Sequence, residues 1–138
     1  MIDEIIENAL REDIGDGDHS SLSCVPENAI GKAKLIVKQS GVIAGLELAV
    51  LIFQKFDPEL QINLFKEDGD VVHVGDVAFE IIGRSRSILS TERLVLNFLQ
   101  RMSGIATKTA GIVQLIDGTN AKLLDTRKTT PGIRFMEK

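Results

Sequence analysis

A long run of helical spacing, beginning near Ser87, limits the architectures open to this chain. Its broad apolar face comprises Leu94, Val95, Phe98, Leu99, Met102 and Ile105. The opposite face is polar and partly basic, so the apolar face has to pack against the rest of the chain. We expect Ser103-Gly104 to interrupt the helix, helical spacing to resume from Thr109 to Asp117, and Gly118 to end it.

Shorter helix and strand patterns precede this run. Periodicity predicts helices at Ile2–Leu10 and Leu46–Phe56, the second mostly buried. Alternation predicts strands at Lys32–Lys38, between Gly41 and Gly45, at Gln61–Lys66 and at Val77–Ile82. After the long helix we predict a short buried strand at Ala121–Asp125 and the start of a helix at Ile133–Lys138. This order indicates an α+β unit followed by the first strand-helix step of a larger fold.

Composition excludes several classes of protein. With 138 residues and 43% hydrophobic content, the chain suits one globular domain and is too apolar for a disordered tail. No apolar run is long enough to cross a bilayer, and the first ten residues are acidic where a signal peptide is basic, so a cytoplasmic location is predicted. The single cysteine, Cys24, excludes an internal disulfide framework and a cysteine-based zinc site, and we interpret it as buried or inert.

The net charge of −4 conceals a strong asymmetry along the chain. Residues 1–82 hold 6 Lys and Arg against 16 Asp and Glu, a balance of −10, whereas residues 83–138 hold 10 against 4, a balance of +6. Six of the seven arginines follow Ile82. Because these cations lie on a helix and in one loop without interleaved aromatic residues, the pattern does not favour nucleic-acid binding.

The strongest local signal for chemistry is a cluster of cations after the predicted strand at Ala121–Asp125. Arg127, Lys128 and Arg134 lie there beside hydroxyl-bearing threonines. Arginine binds carboxylates and phosphates bidentately and lysine acts as a mobile point charge, so the set suits a ligand that carries both groups. A solvated surface turn is the alternative, although Pro131-Gly132 restricts the backbone directly after the cations.

For the other candidate residues, the sequence pattern favours structural roles over binding or catalysis. The segment Gly15–His19 lacks the spacing of a calcium or zinc site and is interpreted as a turn with a helix cap. Arg93 lies at the start of the long helix, where pairing with solvent or with a neighbouring acid is the simpler interpretation. His73 has no catalytic partner nearby in sequence. The pattern assigns no role to Arg134, His19, His73 or Cys24.

Three ordered stretches identify a family resemblance. Residues 88–107 read ILSTERLVLNFLQRMSGIAT, residues 125–134 read DTRKTTPGIR, and Glu12–Gly15 with Gly17-Asp18 lie near the amino end. Together they closely resemble quinolinate phosphoribosyltransferase, also called carboxylating nicotinate-nucleotide pyrophosphorylase. The resemblance implies an α/β-hammerhead domain at residues 1–107, followed at residues 108–138 by the start of an incomplete, TIM-like β/α barrel.

The resemblance also implies an activity and partners. The family transfers the phosphoribosyl group of phosphoribosyl pyrophosphate to quinolinate with decarboxylation, which gives nicotinate mononucleotide, CO2 and pyrophosphate for NAD biosynthesis. Mg2+ would accompany phosphoribosyl pyrophosphate, with no ligand from this chain, and the family works as a homodimer or a larger homo-oligomer. Neither nucleic acid nor membrane is an expected partner.

Four positions match substrate-binding residues of the family. Arg127 corresponds to a residue that grips the carboxylates of quinolinate, Thr126 lies beside it, and Lys128 corresponds to a contact with phosphoribosyl pyrophosphate. Arg93 corresponds to an arginine that reaches into the site of the partner subunit. No catalytic residue is assigned in this chain, because full-length members continue through most of the barrel. We therefore expect the 138-residue chain alone to be inactive.

Two alternatives remain at this point. A family associated with molybdenum transport shares much of the pattern, although the Thr-Thr-Pro-Gly run at 129–132 resembles the quinolinate enzyme more. A non-catalytic module related to biotinyl or lipoyl carriers is the other alternative. Such carriers need a lysine at a hairpin tip, and the stretch Asp70–Asp76 contains His73 but no lysine.

Overall fold

An antiparallel sheet and the long helix that follows it organise the fold. The computed structural model describes residues 2–138. Its helices are α1 Ile2–Ile14, α2 His19–Cys24, α3 Leu46–Phe56, α4 Ser85–Ile116 and α5 Arg134–Glu137. Its strands are β1 Ile30–Ile36, β2 Gly41–Val42, β3 Gln61–Leu64, β4 Val71–Val72 and β5 Val77–Arg84.

The main sheet has the strand order β1-β5-β3, and both pairings are antiparallel. Alternation divides its side chains between two faces, as expected for a sheet with one face on a core. Ile81 and Phe79 are buried, whereas Glu80 lies on the other face between Lys32 and Lys34, whose Nζ atoms are 2.9 and 3.0 Å from its carboxylate oxygens. The sheet therefore presents an ion-paired surface outward and an apolar surface inward.

The core forms where α1, α3 and α4 meet the inner face of the sheet. Its most deeply buried side chains include Ile6, Leu46, Ile52, Ile81 and Val95. The rings of Phe53 and Phe79 contact edge to face with centroids 5.9 Å apart. Each helix contributes its predicted apolar stripe, so the periodicity of the sequence explains the packing.

Helix α4 continues without a break through Ser103-Gly104, where we had predicted an interruption. The hydroxyl of Ser103 accepts a hydrogen bond from the N–H of Ala44 at 2.9 Å, and that of Thr107 accepts one from the N–H of Val42 at 2.9 Å. These residues lie one turn apart and both bind the backbone around β2. Docking on this segment compensates for the low helix propensity of glycine, which costs about 1 kcal/mol in isolation.

The prediction of a buried strand at Ala121–Asp125 is wrong. The segment has no regular secondary structure, and Leu124 is 83% exposed. A strand requires ladder hydrogen bonds to a neighbour, and no strand among residues 2–138 pairs with this segment. At Gly15–His19, interpreted above as a turn with a helix cap, α2 begins at His19 directly after the cap residue Asp18.

A buried carboxylate ties the end of α3 to the start of α4. Asp57, whose side chain is 1% exposed, accepts hydrogen bonds from Arg84 Nε at 2.9 Å, Arg84 Nη2 at 2.8 Å and Ser87 Oγ at 2.6 Å. The N–H of Glu59 donates a further bond at 3.1 Å. The pKa of Asp57 is lowered to about 2, chiefly by the Arg84 hydrogen bonds.

Replacement of Asp18 by alanine tests the predicted helix cap. Asp18 precedes α2, and its carboxylate accepts hydrogen bonds from the N–H of Ser21 at 3.2 Å and from Ser90 Oγ at 3.1 Å. Loss of such a cap costs about 1 kcal/mol, so Asp18→Ala should lower the free energy of unfolding by that amount in a urea titration. The control is Asp16→Ala, which removes an exposed carboxylate paired only with His19. Equal effects of the two substitutions would contradict the assignment.

Candidate anion-binding site

The candidate site is the segment Asp125–Gly132, called the cationic loop below. Thr126, Arg127 and Lys128 are all exposed. The Thr126 hydroxyl accepts a hydrogen bond from the N–H of Lys128 at 3.1 Å, and the Arg127 carbonyl accepts one from the N–H of Thr129 at 3.1 Å. Among residues 2–138, the side chains of Arg127 and Lys128 pair with no other group. The turn therefore presents two neighbouring cations that are free to bind an anion.

The chain that follows the loop holds it in place. Glu137 accepts hydrogen bonds from the N–H of Thr130 at 2.8 Å, from Thr130 Oγ1 at 2.7 Å and from Arg101 Nε at 2.9 Å. Arg134 donates from Nε to Thr129 Oγ1 at 3.0 Å and from Nη2 to the carbonyl of Arg127 at 3.2 Å. The loop is thus fixed through its backbone and threonines rather than through its free cations.

These contacts indicate that Arg134 holds the loop in place. Its guanidinium donates to the Thr129 hydroxyl and to the Arg127 carbonyl, whereas the side chains of Arg127 and Lys128 donate to no other described residue. At the start of the loop, Lys138 forms an ion pair with Asp125, and this pairing lowers the pKa of Asp125. Arg134 of the predicted cluster and Lys138, which lies outside it, therefore brace the loop, and Arg127 and Lys128 remain available to a ligand.

Arg93 lies in a different groove from the cationic loop. Its Nε donates to Asp13 Oδ1 at 2.7 Å, and its Nη2 donates to the Asp13 carbonyl at 3.1 Å. The Arg93 side chain remains 71% exposed, in a groove that α1, α2 and α4 line. Within one chain, the structure does not bring Arg93 together with Thr126, Arg127 and Lys128.

The described residues do not form a metal site. Residues 2–138 contain no group of three or more His, Cys, Asp or Glu side chains that could hold a metal ion. His19 lies 3.2 Å from Asp16 on the surface, and His73 is exposed. Cys24, interpreted above as buried or inert, is exposed.

The sequence did not reveal the residues that brace the loop. Arg101 belonged to the polar face of the long helix, and Glu137 carried no motif. They meet although 36 residues separate them, since α5 folds back onto α4 and Met136 packs into the core. Nothing in the local sequence distinguishes Arg101, whose side chain is 54% exposed, from the other polar residues of the long helix.

The acid titration of Glu137 gives a testable pH dependence. Hydrogen bonds from the backbone and hydroxyl of Thr130 and from Arg101 lower its pKa from 4.5 to about 2. Since the unfolded chain takes up this proton first, the stabilisation is complete above about pH 4.5 and is lost as the pH falls towards 2. Carbon-13 NMR of the Glu137 carboxyl, assigned with Glu137→Gln, should give a midpoint below about 3. A midpoint near 4.5 would contradict the bonded geometry.

The fold and the loop together define the class of protein: an antiparallel α+β unit joined by a long helix to an exposed cationic loop. Family models agree with this class. Residues 18–103 match the quinolinate phosphoribosyl transferase N-terminal domain, and residues 105–138 match the C-terminal domain of the same enzyme. The chain belongs to the quinolinate phosphoribosyltransferase family.

Relatives and solved structures agree. The chain is 44% identical over 135 residues to the chloroplastic carboxylating nicotinate-nucleotide pyrophosphorylase of Oryza sativa subsp. japonica, covering 97% of this chain and 36% of the relative. It is 41% identical over 138 residues to the probable carboxylating nicotinate-nucleotide pyrophosphorylase of Bacillus subtilis. This match covers 100% of this chain and 47% of the relative. NadC from Streptococcus pyogenes superposes with a TM-score of 0.95 at 42% identity, covering 99% of this chain and 49% of that one. The chain thus spans between a third and a half of these proteins.

The comparisons confirm the predicted fold class. The mixed helix and sheet arrangement matches the structures from Streptococcus pyogenes and Francisella tularensis, the latter with a TM-score of 0.92. Residues 2–138 contain no closed barrel. The predicted domain boundary at residue 107 stays a prediction, and α4 runs through it without interruption. Every helix in the described part of the chain is too short or too polar to span a membrane.

Proposed function

We propose that a full-length protein containing this chain transfers the phosphoribosyl group of phosphoribosyl pyrophosphate to quinolinate. In this reaction the C1–O bond to pyrophosphate breaks and a bond from C1 to the ring nitrogen of quinolinate forms. One ring carboxylate leaves as CO2, and the electron pair that it leaves on the ring takes up a proton. The products are nicotinate mononucleotide, pyrophosphate and CO2.

The observation that carries the proposal is the pair of free cations on a braced loop. Quinolinate is a dianion and phosphoribosyl pyrophosphate is a polyanion, so a site for both needs fixed positive charge. Arg127 and Lys128 are adjacent, exposed and without a side-chain partner among residues 2–138. Arg127 would grip the carboxylates of quinolinate, with Thr126 beside it, and Lys128 would contact phosphoribosyl pyrophosphate.

Charge and positioning are what this part of the site can supply. Departure of pyrophosphate gives the sugar cationic character, and this step needs little covalent help from the protein. Decarboxylation leaves electrons on the ring that a neighbouring cation stabilises. Mg2+ is an expectation tied to phosphoribosyl pyrophosphate, and no step above is assigned to it.

Homodimerisation is part of the proposal, because Arg93 is remote from the cationic loop of its own chain. An exposed arginine that is held at its base by Asp13 is suited to reach a second subunit, with its remaining N–H groups free. The compartment stays a prediction, since the rice relative is named chloroplastic and a Nicotiana tabacum relative is named mitochondrial.

Mixed dimers test the role of Arg93. Arg93→Ala and Arg127→Ala proteins should each have low activity. After mixed reassembly, half of the dimers combine the two variants and each such dimer has one intact site, so about a quarter of wild-type activity should return. Co-expression with two affinity tags isolates the mixed dimers, and because each of these has one intact site of two, the doubly purified species should show about half of wild-type activity. Absence of rescue would argue against a cross-subunit role.

The proposed activity is tested by assay and by titration. The full-length protein should form nicotinate mononucleotide from quinolinate and phosphoribosyl pyrophosphate, and calorimetry should detect quinolinate binding. Molybdate is titrated in parallel, because the molybdenum-associated relative would bind it instead. Binding of molybdate together with absence of quinolinate binding would overturn the proposal.

A further inference from the structure

Glu137 is an unusual carboxylate for its position near an exposed loop. Its side chain is only 7% exposed, and Arg101 Nε donates to its Oε1 at 2.9 Å. Thr130 donates twice, from its backbone N–H to Oε2 at 2.8 Å and from its hydroxyl to Oε1 at 2.7 Å. Arg101 Nη2 also donates to Thr130 Oγ1 at 3.3 Å. Three residues from separate segments therefore form one closed polar network.

Core residues next to Glu137 and Arg101 in the sequence hold the network in place. Met136, which precedes Glu137, is 4% exposed in the core, and Ile133 packs against the same cluster. Arg101 projects from α4, whose neighbouring residue Leu99 is also in the core. Glu137 consequently occupies a fixed position relative to α4, and Thr130 is fixed relative to Glu137.

Thr130 lies two residues after Lys128 in the cationic loop. Loops that carry exposed cations are ordinarily mobile, and ordering them when a ligand binds costs free energy. Here the loop is held at Thr130 by hydrogen bonds to both the backbone and the side chain, whereas Arg127 and Lys128 are left free. The cationic loop is therefore already ordered before a ligand binds.

We propose that Glu137 is a positioning residue, which holds the cationic loop through Thr130, with Arg101 as its counter-charge, in the conformation that binds anionic substrates. The inference rests on the proposed function of the loop. Loosening the network lowers the fraction of molecules that can bind, and the apparent dissociation constant rises by the inverse of that fraction. A loop that is competent one-tenth of the time would bind about tenfold more weakly.

The test compares variants of a full-length protein that contains this chain. Glu137→Gln removes the charge, and Thr130→Val removes only the hydroxyl while it keeps the shape and the backbone N–H. Both should raise the dissociation constant of quinolinate about tenfold in calorimetry and raise its KM similarly, with kcat changed less than about threefold. Thr130→Ser restores the hydroxyl and should restore binding. Glu67→Gln is the control, because this exposed carboxylate has no side-chain partner within residues 2–138.

A double-mutant cycle separates positioning from general stability. If Glu137 acts by way of Arg127, Glu137→Gln should weaken quinolinate binding much less in an Arg127→Ala background than in the wild type. Equal effects in both backgrounds, or a lower melting temperature with unchanged KM, would overturn the positioning role. Failure of Arg127→Ala itself to weaken binding would instead refute the proposed function, so the two failures are distinguishable.

Discussion

Arg127→Ala is expected to lower kcat/KM for quinolinate by roughly 10- to 200-fold without unfolding the protein. A hydrogen bond to a charged group contributes about 1.5–3 kcal/mol, which corresponds to that range. Since the side chain of Arg127 is exposed and pairs with no other described group, its removal disrupts no contact inside the chain. The backbone carbonyl that Arg134 binds is retained in the variant.

Steady-state kinetics and thermal unfolding of the same samples measure the two parts of this expectation. The control is Arg11→Ala, which removes an exposed arginine whose side chain donates to Asn8. Arg127→Lys should recover only part of the lost binding, because an ammonium group cannot reproduce the bidentate geometry. An unchanged kcat/KM in Arg127→Ala, with wild-type stability, would remove this residue from the site.

Arg84→Met is expected to cause the largest loss of stability, about 1.5–3 kcal/mol, the range for a hydrogen bond to a charged group, since Arg84 itself is 49% exposed. The substitution leaves the carboxylate of Asp57, which is 1% exposed, without its charged partner. Ser87 and the N–H of Glu59 remain as donors, but they do not neutralise the charge. Urea unfolding measures the change in free energy.

The double variant Asp57→Asn/Arg84→Met provides the control. It removes both charges, so the buried position no longer holds an unpaired carboxylate, and part of the lost stability should return. The destabilisation of Arg84→Met should also diminish in acid, because loss of the Arg84 hydrogen bonds raises the pKa of Asp57 above its wild-type value of about 2 and the buried carboxylate takes up a proton more readily. A double variant less stable than Arg84→Met would show that the charge is not the source of the loss.

Local signals in the sequence predicted most elements well. The boundaries of α3 at Leu46 and Phe56 agree with the structure because Gly45 and Pro58 flank an apolar helical pattern. Gly45 adopts a φ of 104°, which is strained for other residues, at the start of this helix. The strands were found because one face of the sheet is buried and period-2 alternation follows.

Contacts between distant segments could not be predicted in this way. Asp57 binds Arg84 across 27 residues, and the sequence contains nothing that pairs them. The strand predicted at Ala121–Asp125 failed for a related reason: apolar content indicates a strand only where a neighbouring strand exists to pair with it.

In the candidate site, too, some residues could be predicted from the sequence and others could not. Thr126, Arg127 and Lys128 were identified from a motif, and the structure places them on one exposed loop. The bracing by Glu137 and Arg101 was invisible, because a hydrogen-bond partner 36 residues away leaves no local pattern. Motifs thus indicated the candidate binding residues, whereas the fold was needed to find the residues that hold them in place.

Because α4 is a continuous helix, the distance between residues along it is fixed. Eight residues separate Arg93 from Arg101, which corresponds to about 12 Å along the helix axis. Because backbone geometry sets that spacing, an inserted residue between them would turn everything beyond it by about 100° and detach Arg101 from Glu137. Length should therefore be free to vary in the turns around β4 but not along this stretch of helix.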